Sequence, residues 1–336
     1  MACRLCETRR AGVSSGRVAA DARTEVGGVT VSGDGLPTPA GSWQAKRSLH
    51  TWIRRRLPLV AFTLPAWALL ILVLAIPAVT AVSLSLKNET LDLFGAPQYV
   101  GFQNYRDEVF TSAFVHALVV TTIIIVIGLA VQLPLGLWLA SILHRELRGT
   151  RLFRSVLLMP MLLTPVAVGL MWRFMFNSDL GIIDWFIRSL GLTQVDWLGS
   201  VYGAFASVLI VNSWQNVPFV MLFMLAGLQA LPNEPFEAAE VDGAASWQSF
   251  RYITLPLLRP VILIVTMILI VEGFKLFDIV YVITAGGPGT ATQTVSLLAY
   301  RVGFTDLDTS QGAAIGVVMA LMLTPVYFLW ARATAE

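Results

Sequence analysis

Six stretches of the sequence, at about 59–86, 113–143, 153–176, 202–230, 261–284 and 312–332, are apolar almost without interruption. Each reaches the ~20 residues that a helix needs to cross ~30 Å of hydrocarbon. The strict alternation of a barrel strand is absent, so helices are the remaining way to satisfy the backbone in lipid. Composition agrees: AVILMFWYC residues make up 56% and charged residues only 13%, about half the usual share in a soluble domain. The charges are also unevenly placed. Residues 1–56 hold ten of the 23 Lys/Arg and four of the 21 Asp/Glu. The expected architecture is an all-α integral membrane protein, a six-transmembrane-helix bundle over 57–334 behind a basic, disordered tail over 1–56. Internal prolines, among them Pro134, Pro160, Pro165 and Pro218, are expected to bend the helices.

Lysines and arginines near the segment ends set the expected orientation. Lys46, Arg47, Arg54, Arg55, Arg56, Arg145, Arg148, Arg151, Arg154, Arg251, Arg259 and Arg332 flank one side, against Lys87, Arg106, Arg173, Arg188 and Arg301 on the other. Both termini, and the loop over 231–260, are therefore expected in the cytoplasm, the chain crossing the membrane several times. A net charge of +2 gives no footprint for nucleic acid. Cys3 and Cys6 lack a second ligand pair, and His50, His116 and His144 are scattered, so no metal site is expected. Gly12 to Gly16 spell G-x-S-x-G, but without the strand–turn–helix context that the motif needs.

The loop over 231–260 is patterned. Pro232 and Pro235 suit the first turn of a short helix, and Gly243 suits its end. A second short helix from about Ser246 to Ile253 is expected to stop before Pro256. Trp247 and Phe250 are placed to anchor the resulting helix–Gly–helix elbow.

Glu237-Ala238-Ala239, three residues, Gly243, nine residues, Ile253, one residue, Leu255-Pro256 resembles the EAA loop of ABC importer permeases. Gly101-x-x-Asn104-Tyr105, Phe274-Lys275-x-Phe277-Asp278, Gly286-Gly287-Pro288, Tyr300 and Phe304 resemble the carbohydrate-uptake branch, the maltose- and glycerol-phosphate-type permeases. Within that branch the chain resembles the first of two unlike permease subunits. The resemblance implies the type I importer fold and an ATPase-coupling loop made of Glu237, Ala238, Ala239, Asp242, Gly243, Ile253, Leu255 and Pro256. It implies a heterodimer with a second permease subunit, two copies of an ABC ATPase subunit carrying ATP and magnesium, and an extracytoplasmic substrate-binding protein. This chain itself would hold no cofactor.

Polar side chains at membrane depth are costly and mark paths or helix contacts. Asn212, Gln215 and Asn216 share one face of the fourth segment. On the fifth, Glu272, Gly273, Lys275 and Leu276 complete a candidate substrate or translocation path, and Lys275 is spaced to pair with Glu272 or Asp278. Amides and carboxylates can bind sugar hydroxyls, while Trp214 or Phe274 can stack on a ring. The same residues can instead serve as interhelical glue. Gly312 and Gly316 permit a close helix contact, and Trp172, Trp185, Trp197 and Trp330 suit interfacial belts.

No G-x-x-x-x-G-K-[ST], H-E-x-x-H or nucleophile–base set occurs. The chain is thus expected to be a transport subunit rather than an enzyme, driven by ATP hydrolysis on a partner. The alternative is an ion-coupled secondary sugar carrier using Glu272, Lys275 and Asp278.

Overall fold

The computed structural model describes residues 62–88, 98–144 and 149–335. The chain falls into two units, Met1–Ala66 and Trp67–Glu336. The expected tail, with both cysteines and the G-x-S-x-G match, lies outside the described residues. In order, the helices are α1 (Phe62–Ser85), α2 (Ser112–His144), α3 (Thr150–Leu162), α4 (Pro165–Met175), α5 (Ile182–Ser189), α6 (Val201–Gln229), α7 (Glu234–Val241), α8 (Ser246–Phe274), α9 (Asp278–Ile283), α10 (Val295–Tyr300) and α11 (Thr309–Ala335). A two-residue antiparallel pair, Lys87–Asn88 with Gln98–Tyr99, closes the connection after α1.

Among the described residues, α1, α2, α6, α8 and α11 are long and apolar enough to cross a membrane. The third expected span is broken. α3 and α4 meet at 97° around Leu163 and Thr164, because Thr164 is held extended (ψ 138°) before Pro165. The pair still makes one passage. α2 and α6 lie parallel, with Gly128 near Asn212 and Gly136 against Val220, so the chain between them must return to the other end of the bundle. Counted this way there are six passages.

α6 is the centre: over half of its apolar window (56%) is buried, against 6% in α1. At the end that carries α7, Ala140 and Leu143 of α2 pack on Met221, Met224 and Leu228 of α6 and on Leu258 of α8. Towards the other end, Ile124 of α2 and Val208 and Val211 of α6 pack on Val168 of α4 and on Ile279 and Ile283 of α9. A third cluster joins Phe114 to Leu298, Val302 and Ile315. Trp172 and Trp197, expected in interfacial belts, are half-buried and pack against the second of these clusters.

Two motifs of the sequence have structural work. Asn104 donates to the carbonyls of Ser85 (2.8 Å) and Lys87 (2.7 Å), and the Tyr105 hydroxyl meets that of Ser85 at 2.7 Å. The Asn-Tyr pair therefore clasps the end of α1. Of the two small residues expected at a helix contact, Gly312 alone is tight. A Cβ there would stand 2.7 Å from Gly303 Cα, whereas Gly316 faces open space. The contact lies within this chain.

Gly312→Ala is expected to lower stability by about 1–3 kcal/mol, the usual penalty of overpacking, and Gly316→Ala to leave it unchanged, as read by thermal unfolding in detergent. A pH test concerns Glu108, whose carboxyl is raised above its ordinary 4.5 by burial and then by Asp308, Asp306 and Asp107. The folded state prefers the protonated acid, so this stabilisation is complete below 4.5 and is lost as pH rises through the raised value. Glu108→Gln should therefore melt higher than the parent at pH 7, with the difference gone near pH ~4.

Candidate translocation path and coupling elbow

Two interruptions of the helices shape the polar centre. The break between α3 and α4 leaves the Leu163 carbonyl without a helical donor, and Gln215 Nε2 of α6 donates to it at 3.0 Å. The fifth expected segment does not run to 284; α8 ends at Phe274 and α9 begins at Asp278. The Leu276 carbonyl at this second break accepts from Thr294 (3.0 Å) and Ser296 (2.8 Å). Thr294 also caps α10 by accepting from Leu297 N.

Between the breaks lies a cavity of about 340 Å³. Asn212, Gln215, Asn216, Glu272, Lys275 and Leu276 line it together with Asp278, so the path residues on the two segments come together, Gly273 excepted. Gly273 borders a smaller void behind Asn212 and Asn216, and a Cβ there would collide with Ile125. Asn216 Nδ2 donates to the backbone (2.9 Å) and side-chain (2.8 Å) oxygens of its neighbour Asn212. This orders both amides.

Lys275 Nζ pairs with Glu272 at 2.8 Å, the one ion pair among the described residues. Asp278 is not its partner, because the helix stops at Lys275 and Asp278 restarts on a new axis. The stacking candidates also change. Trp214 turns away from the cavity and packs edge-on to Trp172 (5.6 Å), while Phe219 and Phe277 line the polar space. Phe277 opens an aromatic wall with Tyr281 (5.2 Å) and Tyr300 (4.9 Å). Sequence reading missed Gln132, which is buried and borders the void beside Gly273. Its amide inside an otherwise apolar α2 was the available signal.

The elbow forms largely as its spacing suggests. α7 ends in a Schellman motif: Gly243 is left-handed (φ 72°), Gly243 N donates to Glu240 O at 3.1 Å and Ala244 N to Ala239 O at 2.9 Å. Glu237, Ala238, Asp242 and Gly243 are exposed, and Ala239 is half-buried. Gln248 Oε1 accepts from Ala245 N at 2.7 Å and opens the second arm. That arm does not stop before Pro256. It is the first part of α8, which continues through a wide turn over Phe250–Thr254, and the widened turn accommodates a proline that lacks its N–H. Ile253, Leu255 and Pro256 thus belong to one helix with the cavity residues. Trp247 and Phe250 stack at 5.6 Å and line a groove with Leu133, Leu137 and Trp138 of α2.

A membrane helix that carries an exposed, capped elbow at one end and a polar cavity at the other defines a transport permease. The chain belongs to the family of binding-protein-dependent transport system inner membrane components, which matches residues 132–334. It is 34% identical to the trehalose/maltose transport system permease protein MalF of Thermococcus litoralis, over 79% of this chain and 90% of that one. It is 33% identical to the sn-glycerol-3-phosphate transport system permease protein UgpA of Yersinia enterocolitica, over 77% and 90%. Its fold is that of a chain in the bacterial alginate ABC transporter crystallised with an alginate pentasaccharide-bound periplasmic protein (TM-score 0.73, 20% identity, 84% and 97% covered). The chain is therefore an ABC importer permease subunit. The ion-coupled carrier is not favoured.

The half-exposed Glu272–Lys275 pair should contribute at most about 1 kcal/mol, whereas loss of a cap and a buried hydrogen bond costs about 1–3 kcal/mol. Thr294→Ala is expected to lower the melting temperature clearly and Glu272→Gln hardly at all, measured side by side in detergent.

Proposed function

We propose that the chain carries a neutral sugar inward by alternating access, as one of two unlike permease subunits. Two copies of an ABC ATPase subunit, which bind ATP and magnesium, drive it, and an extracytoplasmic binding protein delivers the sugar. In this reading the elbow, with Glu237, Ala238, Ala239, Asp242 and Gly243 at its surface, seats in the ATPase, both termini face the cytoplasm, and the membrane is the bacterial inner membrane. The observation that carries the reading is the continuity of α8, with Ser246 at its elbow end and Glu272 at the cavity. Movement imposed on the second arm of the elbow reaches Glu272 along one helix, the turn over 242–245 joining that arm to α7.

The cavity chemistry supports a neutral ligand. Asn212, Gln215 and Asn216 offer amide donors and acceptors, and Phe219 and Phe277 offer apolar faces to a ring. Two carboxylates, Glu272 and Asp278, outnumber one ammonium that is already paired. An anionic substrate such as a phosphate ester would meet no free basic group among the residues that line this cavity. MalF is named for neutral disaccharides and UgpA for a phosphate ester, so the two make a natural choice of probes.

The test is uptake in proteoliposomes holding the complete transporter. Maltose uptake should exceed sn-glycerol-3-phosphate uptake. Asn216→Ala should reduce it about tenfold, the equivalent of one lost polar contact, with ATPase binding intact. Gly243→Ala should leave the cavity unchanged yet weaken ATPase capture and substrate-stimulated hydrolysis. Preference for the phosphate ester would overturn the neutral-sugar reading, and normal coupling in the Gly243 variant would overturn the role of the elbow.

A further inference from the structure

α6 separates two unlike spaces. Asn212 and Asn216 face the polar cavity, while Ser213, Trp214 and Val217 face a groove of about 860 Å³ between α2, α3, α4 and α6. Ser213 carries the one hydroxyl in its lining, and the rest is apolar, with Ile127, Val131, Val156 and Met159 open to the outside of the bundle. The groove has a direction. At one end it is bounded by Ile127, Met171 and Leu209, and at the elbow end by Leu139, Leu157 and Met221. From Ile127 to Leu139 a helix rises about 18 Å. One leaflet of hydrocarbon is about 15 Å deep. The groove is therefore the length of one acyl chain and too short for a helix that crosses the whole bilayer.

A fixed cation stands just past the elbow end. Arg154 of α3 donates from Nη2 to the carbonyl of Leu143 at 2.9 Å, one turn beyond Leu139 on α2. This bond fixes the half-buried Arg154 against the end of α2, one turn past the lining residue Leu139 and one turn before the lining residue Leu157. The surrounding sequence from His144 to Arg154 contains Arg145, Arg148 and Arg151 against the single acid Glu146. Guanidinium suits phosphate by charge and by its planar fork of donors.

From this charge complementarity we infer that the groove is a site for an anionic phospholipid, with one acyl chain along α2 and α6 and the headgroup phosphate at Arg154. Pro160 and Leu163, at the break between α3 and α4, form part of the wall. The far side of the same break supplies Met161 and Pro165 to the polar cavity. The bound chain props the bend that shapes the transport path. This site does not depend on which sugar the cavity takes.

Native mass spectrometry of the intact transporter, exchanged into phosphatidylglycerol or phosphatidylcholine and then progressively delipidated, tests the site. The parent should retain phosphatidylglycerol over phosphatidylcholine. Arg154→Gln should lower that retention at least tenfold and Arg154→Lys should preserve most of it. Val131→Trp fills the groove without touching the cation and should also release the lipid, which keeps the test valid if Arg154→Gln folds poorly. Equal retention of the two lipids by the parent, or unchanged retention in Val131→Trp, would overturn the proposal. So would efficient cross-linking of a Val131→Cys chain to the second permease subunit, which would make the groove a protein interface.

Discussion

In apolar surroundings a carbonyl that leaves a helix ladder must find another donor, and this chain meets that demand twice at its centre. The oxygen of Leu163 is taken by Gln215 and that of Leu276 by Thr294 and Ser296. Without those donors the breaks after α3 and α8 would be unsatisfied backbone at membrane depth. With them, Met161 and Pro165 retreat on one side and Asp278 and Ile279 swing out on the other, leaving the space that the amides of α6 line. The polar cavity thus follows from the way two helix ends are closed.

Around that centre, rigidity is distributed unevenly. α6 is buried along most of its length, close-packed on α2 through Gly136 and on α8 through Gly227. α1 is held at its far end by the Asn104 clasp and otherwise shows its apolar surface. The elbow gets its shape from backbone hydrogen bonds within itself and a left-handed glycine, so it can present an exposed surface without losing its fold.

Much of this was legible in the sequence. Six apolar stretches announce six passages, and the spacing from Glu237 to Pro256 marks the elbow, because span length and glycine geometry are local properties. What was not legible depends on residues far apart. The sequence around Pro160 and Pro165 suggests a bend, but not a 97° one, since the angle is stabilised by Gln215, 52 residues away. Lys275 has two acids within reach by spacing, and only the closure of α8 by Thr294 and Ser296 decides between them. Trp214 looks like a stacking residue until Trp172 claims its ring. In helices that are apolar all round, the facing of any one residue is set by neighbours and not by periodicity.

The uninterrupted run from Ser246 to Phe274 also carries a constraint on evolution. A helix advances about 100° per residue, so one residue inserted or deleted anywhere along it would rotate Glu272 and Lys275 out of phase with the elbow. Loops in such a protein can drift in length, but this segment must keep its count. Its two ends, the elbow and the polar cavity, have to change in step as a single angular unit.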